Sequence, residues 1–248
     1  MLKRMMYSAA SAAALWTVLA GMASRGRAEG GWPGYMVYLF FAAFVLAVGA
    51  AFYFSWKRKK DLEQLALSSG LAFDPDALAL PDTGRLGLEL FTHGHSRKAR
   101  NLFVSSGAGA ENIYLFDHTY VTGSGKNRHT HSFTPALFRF PGAGFPLFEL
   151  RPENLLDQIG EMVGFRDIDI DGFPVFSDKY RLTGPDEAAV RAFFSPAAVS
   201  WLELNPGWRI QAAGDYMAVF KKKGLVPAAD YLSYIEETRN LAASITRK

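Results

Sequence analysis

All five histidines of this 248-residue chain fall between His93 and His131. Neutral imidazole is the commonest nitrogen ligand of Zn²⁺ and related transition ions, so their spacing is the first feature to test for chemistry. A hairpin closing on Ser124 and Gly125 sets His118 across from His131 and Tyr120 across from His129, and directly opposed residues share one sheet face. In that register His118, His129 and His131 form a candidate metal site. The same residues also read as surface or aromatic-packing histidines beside Tyr114, Phe116 and Tyr120. A register shifted by one residue separates His118 from the pair. Cys is absent and no fourth carboxylate ligand is evident, so no cofactor is predicted beyond that transition metal. His93 and His95 flank Gly94, which leaves their orientation free.

Other motifs are incomplete. Asp167, Asp169, Asp171, Gly172 and Asp178 follow the outline of a calcium loop, but Asp alternating with Ile168 and Ile170 is also what a half-buried strand shows. Gly123, Ser124, Gly125 and Lys126 resemble a phosphate loop. However, the chain has Tyr120 where the first glycine belongs and Asn127 where Ser or Thr would bind magnesium. No nucleophile elbow, zinc-protease helix motif or dinucleotide fingerprint is present, so no catalytic residue is assigned.

The basic residues are unevenly placed. Residues 1–60 hold eight Lys and Arg against Glu29 alone, whereas residues 61–248 hold nineteen against twenty-three Asp and Glu. The formal net charge of +3 therefore belongs to the N-terminal part, and a nucleic-acid partner is not expected. Within the acidic remainder, residues 93–139 are an exception, with six Lys and Arg against two acids. They read as a solvated face or as a patch facing anionic headgroups.

Residues 35–54 contain no charge, and twenty helical residues span about 30 Å, the thickness of the hydrocarbon layer. Trp32 and Tyr35 lie at one end, and Tyr53 and Trp56 at the other, where amphipathic rings favour the headgroup regions. Lys57, Arg58, Lys59 and Lys60 follow directly. Such a cluster stays on the cytoplasmic side and suits contact with anionic lipid. Residues 5–23 form a second, Ala-rich uncharged segment that reads either as a cleaved signal peptide or as another transmembrane helix. Both readings return the chain through residues 35–54 and put the remainder in the cytoplasm.

The expected domains are a membrane anchor over residues 1–60 and a soluble domain over residues 61–248. The membrane helix should continue through residues 57–69 and stop at Gly70. Strands are predicted over residues 86–91, 101–105, 113–121, 130–140 and 147–150, then a hairpin of residues 208–212 with 216–221. Helical spacing marks residues 152–163, and Pro185 and Pro196 sit at expected first turns. A last helix over residues 227–245 places Tyr231, Tyr234, Ile235, Thr238, Leu241, Ala242 and Ile245 on one face. Hairpin-like strands with few crossover helices make the fold α+β, mainly antiparallel sheet with packed helices, behind an N-terminal transmembrane helix or helix pair.

Four stretches carry a resemblance: Arg97 to Asn101, Phe116 to Tyr120, His131 to Phe133 and Phe148 to Pro152. With them the chain resembles uncharacterised bacterial membrane-anchored proteins that join N-terminal hydrophobic segments to a cytoplasmic α+β domain. The resemblance covers residues 57–245, implies that architecture and transfers no site residues. The expected function is a non-enzymatic protein-interaction or scaffold module at the inner membrane. The alternative is a membrane-tethered metal-binding protein or hydrolase using the histidines between 93 and 131.

Overall fold

The computed structural model describes residues 34–153, 165–221 and 224–246. Internal contacts divide the chain into two units, one ending at Arg58 and one beginning at Lys59. In the first unit the described residues are all helical, part of α1 (Gly34–Ser69), and large apolar side chains such as Leu39 and Phe52 are 60% and 74% exposed. Among the described residues one helix is thus long and apolar enough to cross a membrane. Residues 5–23 lie outside the described residues.

The second unit begins with the last turns of α1, where Leu62 and Ala66 are buried in its core. Gly70 ends the helix at φ +69°, the left-handed conformation expected of a helix stop. The unit is built on a nine-stranded antiparallel sheet of β1 (Ala72–Asp74), β2 (His95–Gly107), β3 (Ala110–Thr122), β4 (His129–Phe133), β5 (Ala136–Arg139), β6 (Phe145–Pro152), β7 (Tyr180–Thr183), β8 (Arg209–Gly214) and β9 (Tyr216–Phe220). The spatial order is β1-β2-β3-β5-β9-β8-β6-β7, and β4 pairs with β3 off this path. The α+β expectation with an antiparallel sheet and helices therefore holds.

Helices α3 (Pro174–Lys179), α4 (Glu187–Phe193), α5 (Pro196–Leu204) and α6 (Tyr231–Thr246) contribute to one apolar core with one face of the sheet. All seven residues assigned to the inner face of α6 are buried, because the i, i+3, i+4, i+7 spacing gathers them on one side. Pro196 opens α5, with the Ser195 hydroxyl accepting from the Ala198 amide. Asp186 caps α4, so Pro185 falls one residue before the cap and not in the first turn.

On the other face, α2 (Glu89–Thr92) and its flanks bury Leu88, Leu90 and Phe91 against Leu102, Phe116, Phe133 and Phe220. This corrects the strand predicted over residues 86–91. Its apolar residues are gathered over a sheet face by a short helix, with Gly87 at φ +73° turning the chain beforehand. The strand predicted over residues 130–140 is two strands, β4 and β5. Pro135 lacks a backbone donor and Thr134 turns its hydroxyl to a buried carboxylate, so the ladder breaks there. The β8–β9 hairpin forms as expected, with Ala213 opposite Tyr216. The predicted helix over residues 152–163 lies almost wholly outside the described residues.

Candidate functional site

The histidines gather where the sheet forks. The first half of β3 pairs with β5, from Asn112 to Leu115, while its second half pairs with β4, from His118 to Thr122. The start of β2 covers the other side of that second half, with Lys98, Ala99 and Arg100 opposite Thr119, His118 and Asp117.

The β3–β4 register differs from the expected one by two residues. His118 faces Phe133, Tyr120 faces His131, and Thr122 faces His129. The hairpin closes through a six-residue loop with a 3₁₀ turn over Gly125–Asn127, not on Ser124 and Gly125 alone. A shift of two keeps all three histidines on one face but displaces them along it. Each consequently has a different environment. His129 is exposed, while the His131 ring stacks on Tyr120 at 4.7 Å and its Nε2 lies 2.8 Å from the Thr122 hydroxyl. His118 is 3% exposed. Among the described residues no group of three or more His, Asp or Glu is arranged to hold a metal ion. Of the candidate metal ligands His118, His129 and His131, the longer loop thus places His118 opposite Phe133 and not opposite His131.

His118 sits in an aromatic enclosure, its ring centroid 5.4 Å from Phe91, 5.3 Å from Phe133 and 6.1 Å from Tyr120. Both ring nitrogens are buried, with no hydrogen-bond partner among the described residues. Burial, and then the positive charge of Arg97, lower its pKa to about 4, so the ring is neutral at physiological pH. It behaves as a packing residue.

Behind this face Asp117 anchors a buried polar network that no sequence motif signals. Its carboxylate accepts from Asn101 Nδ2 at 2.8 Å and from the Thr134 hydroxyl at 3.1 Å. The same hydroxyl accepts from the Val226 amide, and the Thr134 carbonyl accepts from the Tyr234 hydroxyl. Asn101 is held at φ +52°, where the bulged β2 strand changes register. The network thus joins β2, β3 and α6 beneath the fork.

The outer surface of the fork is cationic and firmly tied. Lys98, Arg100, Lys126 and Arg128 are exposed. Arg97 Nη1 donates to the Thr92 and Gly94 carbonyls, and His95 Nε2 lies 3.1 Å from the Gly123 carbonyl oxygen. Gly94, at φ +65°, lets the chain pass so close that a Cβ would sit 2.5 Å from the Val121 carbonyl oxygen. No family of known proteins and no curated protein matches this chain. Among solved structures, the mycobacterial trehalose monomycolate transport factor A is similar at 13% identity and a TM-score of 0.46, covering 77% of this chain and 96% of that one.

The calcium-like segment does not form a strand or an ion loop. Ile168 is buried and its amide donates to the Leu182 carbonyl, while the Asp167 carboxylate accepts from the Leu182 amide. The segment thereby covers the outer edge of β7. A second buried network, Glu149 with Arg209 and Gln211, links β6 and β8 across the α2-facing side, and the Gln211 side-chain oxygen Oε1 accepts from the Leu90 amide.

Proposed function

We propose that this protein is a membrane-anchored module whose α+β domain faces the cytoplasm at the inner membrane and works without catalysis, by recruiting or organising a protein partner there. The apolar part of α1 carries the reading, an uncharged span of membrane-crossing length followed at once by Lys57, Arg58, Lys59 and Lys60. Four successive cations are retained on the cytoplasmic side and suit anionic lipid, which orients the domain inward. The chemistry of the fork supports a role through surfaces. Its buried groups are committed to packing, as His118 is, or to an internal network, as Asp117 is, and its charged groups point outward.

Site-specific photo-cross-linking of the full chain in living cells tests the recruiting role. A photoreactive residue at Ser124, Ala188 or Leu232, on separate exposed surfaces, should give a discrete protein adduct at one surface only. Diffuse adducts of equal intensity at every position, or none at all, contradict it.

A further inference from the structure

The fork concentrates charge of one sign. Residues 93–100 and 118–133 contain Arg97, Lys98, Arg100, Lys126 and Arg128 together with all five histidines, and no Asp or Glu. The rest of residues 61–248 holds fourteen Lys and Arg against twenty-three acids, net −9, so the domain is strongly polarised. Elsewhere in the domain basic residues often find acids, as Arg139 does with Glu111, Arg191 with Glu187 and Lys221 with Glu237. Among the described residues Lys98, Arg100, Lys126 and Arg128 make no ion pair.

We infer that the fork is a docking surface for the anionic headgroups of the bilayer that holds α1. The inference rests on the membrane-anchored reading above. Among the described residues both outer edges of the fork are open, since β1 covers β2 only at residues 102–104, and β4 meets a single bridge from Gly224 to Phe133. Charge on an open edge strand also deters pairing with other chains, which suits Arg97, Lys98 and Arg100 on β2. It does not account for Lys126 and Arg128, which stand in the loop between β3 and β4. Those two share with the β2 cations only their exposure and stretches of sequence without Asp or Glu.

The loop is preorganised. Gly123, at φ +69°, lies so close to the Asn127 carbonyl that a Cβ would sit 2.1 Å from its oxygen, and the His95 contact to Gly123 fastens the loop to β2. Cations fixed in this way lose little freedom on meeting a charged surface. A bilayer is the favoured anion because it is tethered to the same chain, which gives it a high effective concentration. A flat surface can meet the positive end alone, whereas a polynucleotide wrapping the domain would meet the acidic remainder.

The chain has no cysteine, so Ser124→Cys provides a single labelling site on the loop, and Ala188→Cys on α4 a remote control. The full chain is reconstituted into neutral vesicles and into vesicles with about one-third anionic lipid, each variant carrying an environment-sensitive fluorophore. At position 124 the emission should shift to the blue in anionic vesicles only and return in about 0.5 M salt, where screening lengths fall to a few ångströms. Position 188 should not respond. Replacing Lys98, Arg100, Lys126 and Arg128 by Glu should abolish the shift. Lipid and salt dependence with the native charges decide the matter even if that variant misfolds.

Equal emission in neutral and anionic vesicles overturns the inference. So does a shift in neutral vesicles that appears only on adding single-stranded DNA or polyglutamate, since the fork would then prefer another polyanion. If the labelled chain floats with vesicles but position 124 is silent, docking alone fails. If it does not float with vesicles, the anchoring reading fails as well.

Discussion

The ring of His118 meets Phe91 edge-on, with centroids 5.4 Å apart and planes at 80°, so an ionisable side chain supports the short helix α2 from beneath. Burial holds its pKa near 4, against an ordinary 6.5. A group with a depressed histidine pKa contributes its full share of stability above about 6.5 and loses it as the pH falls through the folded-state value. The difference corresponds to about 3 kcal/mol at most. Between pH 7 and pH 4 the melting temperature of the detergent-solubilised chain should therefore fall by roughly 6–12 °C more than that of His118→Phe. Parallel melting curves for the two proteins would contradict the assignment.

Arg209 donates to Glu149 at 2.8 Å, and both side chains are nearly fully buried. Removing one member of such a pair leaves a desolvated charge without its counter-ion. Glu149→Leu should cost about 3–5 kcal/mol, while Glu149→Leu with Arg209→Met should recover most of that loss. Thermal unfolding of the single and double variants checks this, and equal losses in both would show that the pair is not coupled.

The Thr134 hydroxyl donates to Asp117 and accepts from the Val226 amide. Thr134→Val keeps the shape but removes one hydrogen bond from each partner, at a cost of about 1–3 kcal/mol. Thr134→Ser keeps the hydroxyl and should lose less. The order of the two melting temperatures is the readout.

Gly123→Ala places a methyl group against the Asn127 carbonyl in a left-handed backbone. The loop must open, so amide exchange at Val121 and Thr130, opposed residues of the hairpin, should accelerate at least several-fold while exchange in α6 is unchanged. Unchanged exchange at both residues would contradict this account of the loop.

Local signals were legible where one period governed a whole element. The inner face of α6 follows from helical spacing alone, and the β8–β9 hairpin follows from its turn residues. Register was not legible, because the residues of the β3–β4 loop do not reveal that Gly123 and a 3₁₀ turn lengthen it beyond Ser124 and Gly125. Apolar residues 86–91 carry no period that separates a strand from a short helix lying on a sheet. The Asp117 and Glu149 networks join residues up to 121 positions apart, as in Leu90 with Gln211, and only the folded topology brings them together. The polarity of the fork lay between these cases. The excess of cations over residues 93–139 was evident in the sequence, but the structure was needed to show that Glu111 and Asp117 stand outside the exposed cationic surface, one paired with Arg139 and one buried.

In the function we propose, the α+β domain is anchored in the inner membrane and faces the cytoplasm. Protease treatment of intact spheroplasts carrying a C-terminal epitope tag on the full chain tests it most directly. The account predicts that the tag survives until the inner membrane is permeabilised. Loss of the tag to protease added outside intact spheroplasts would contradict it.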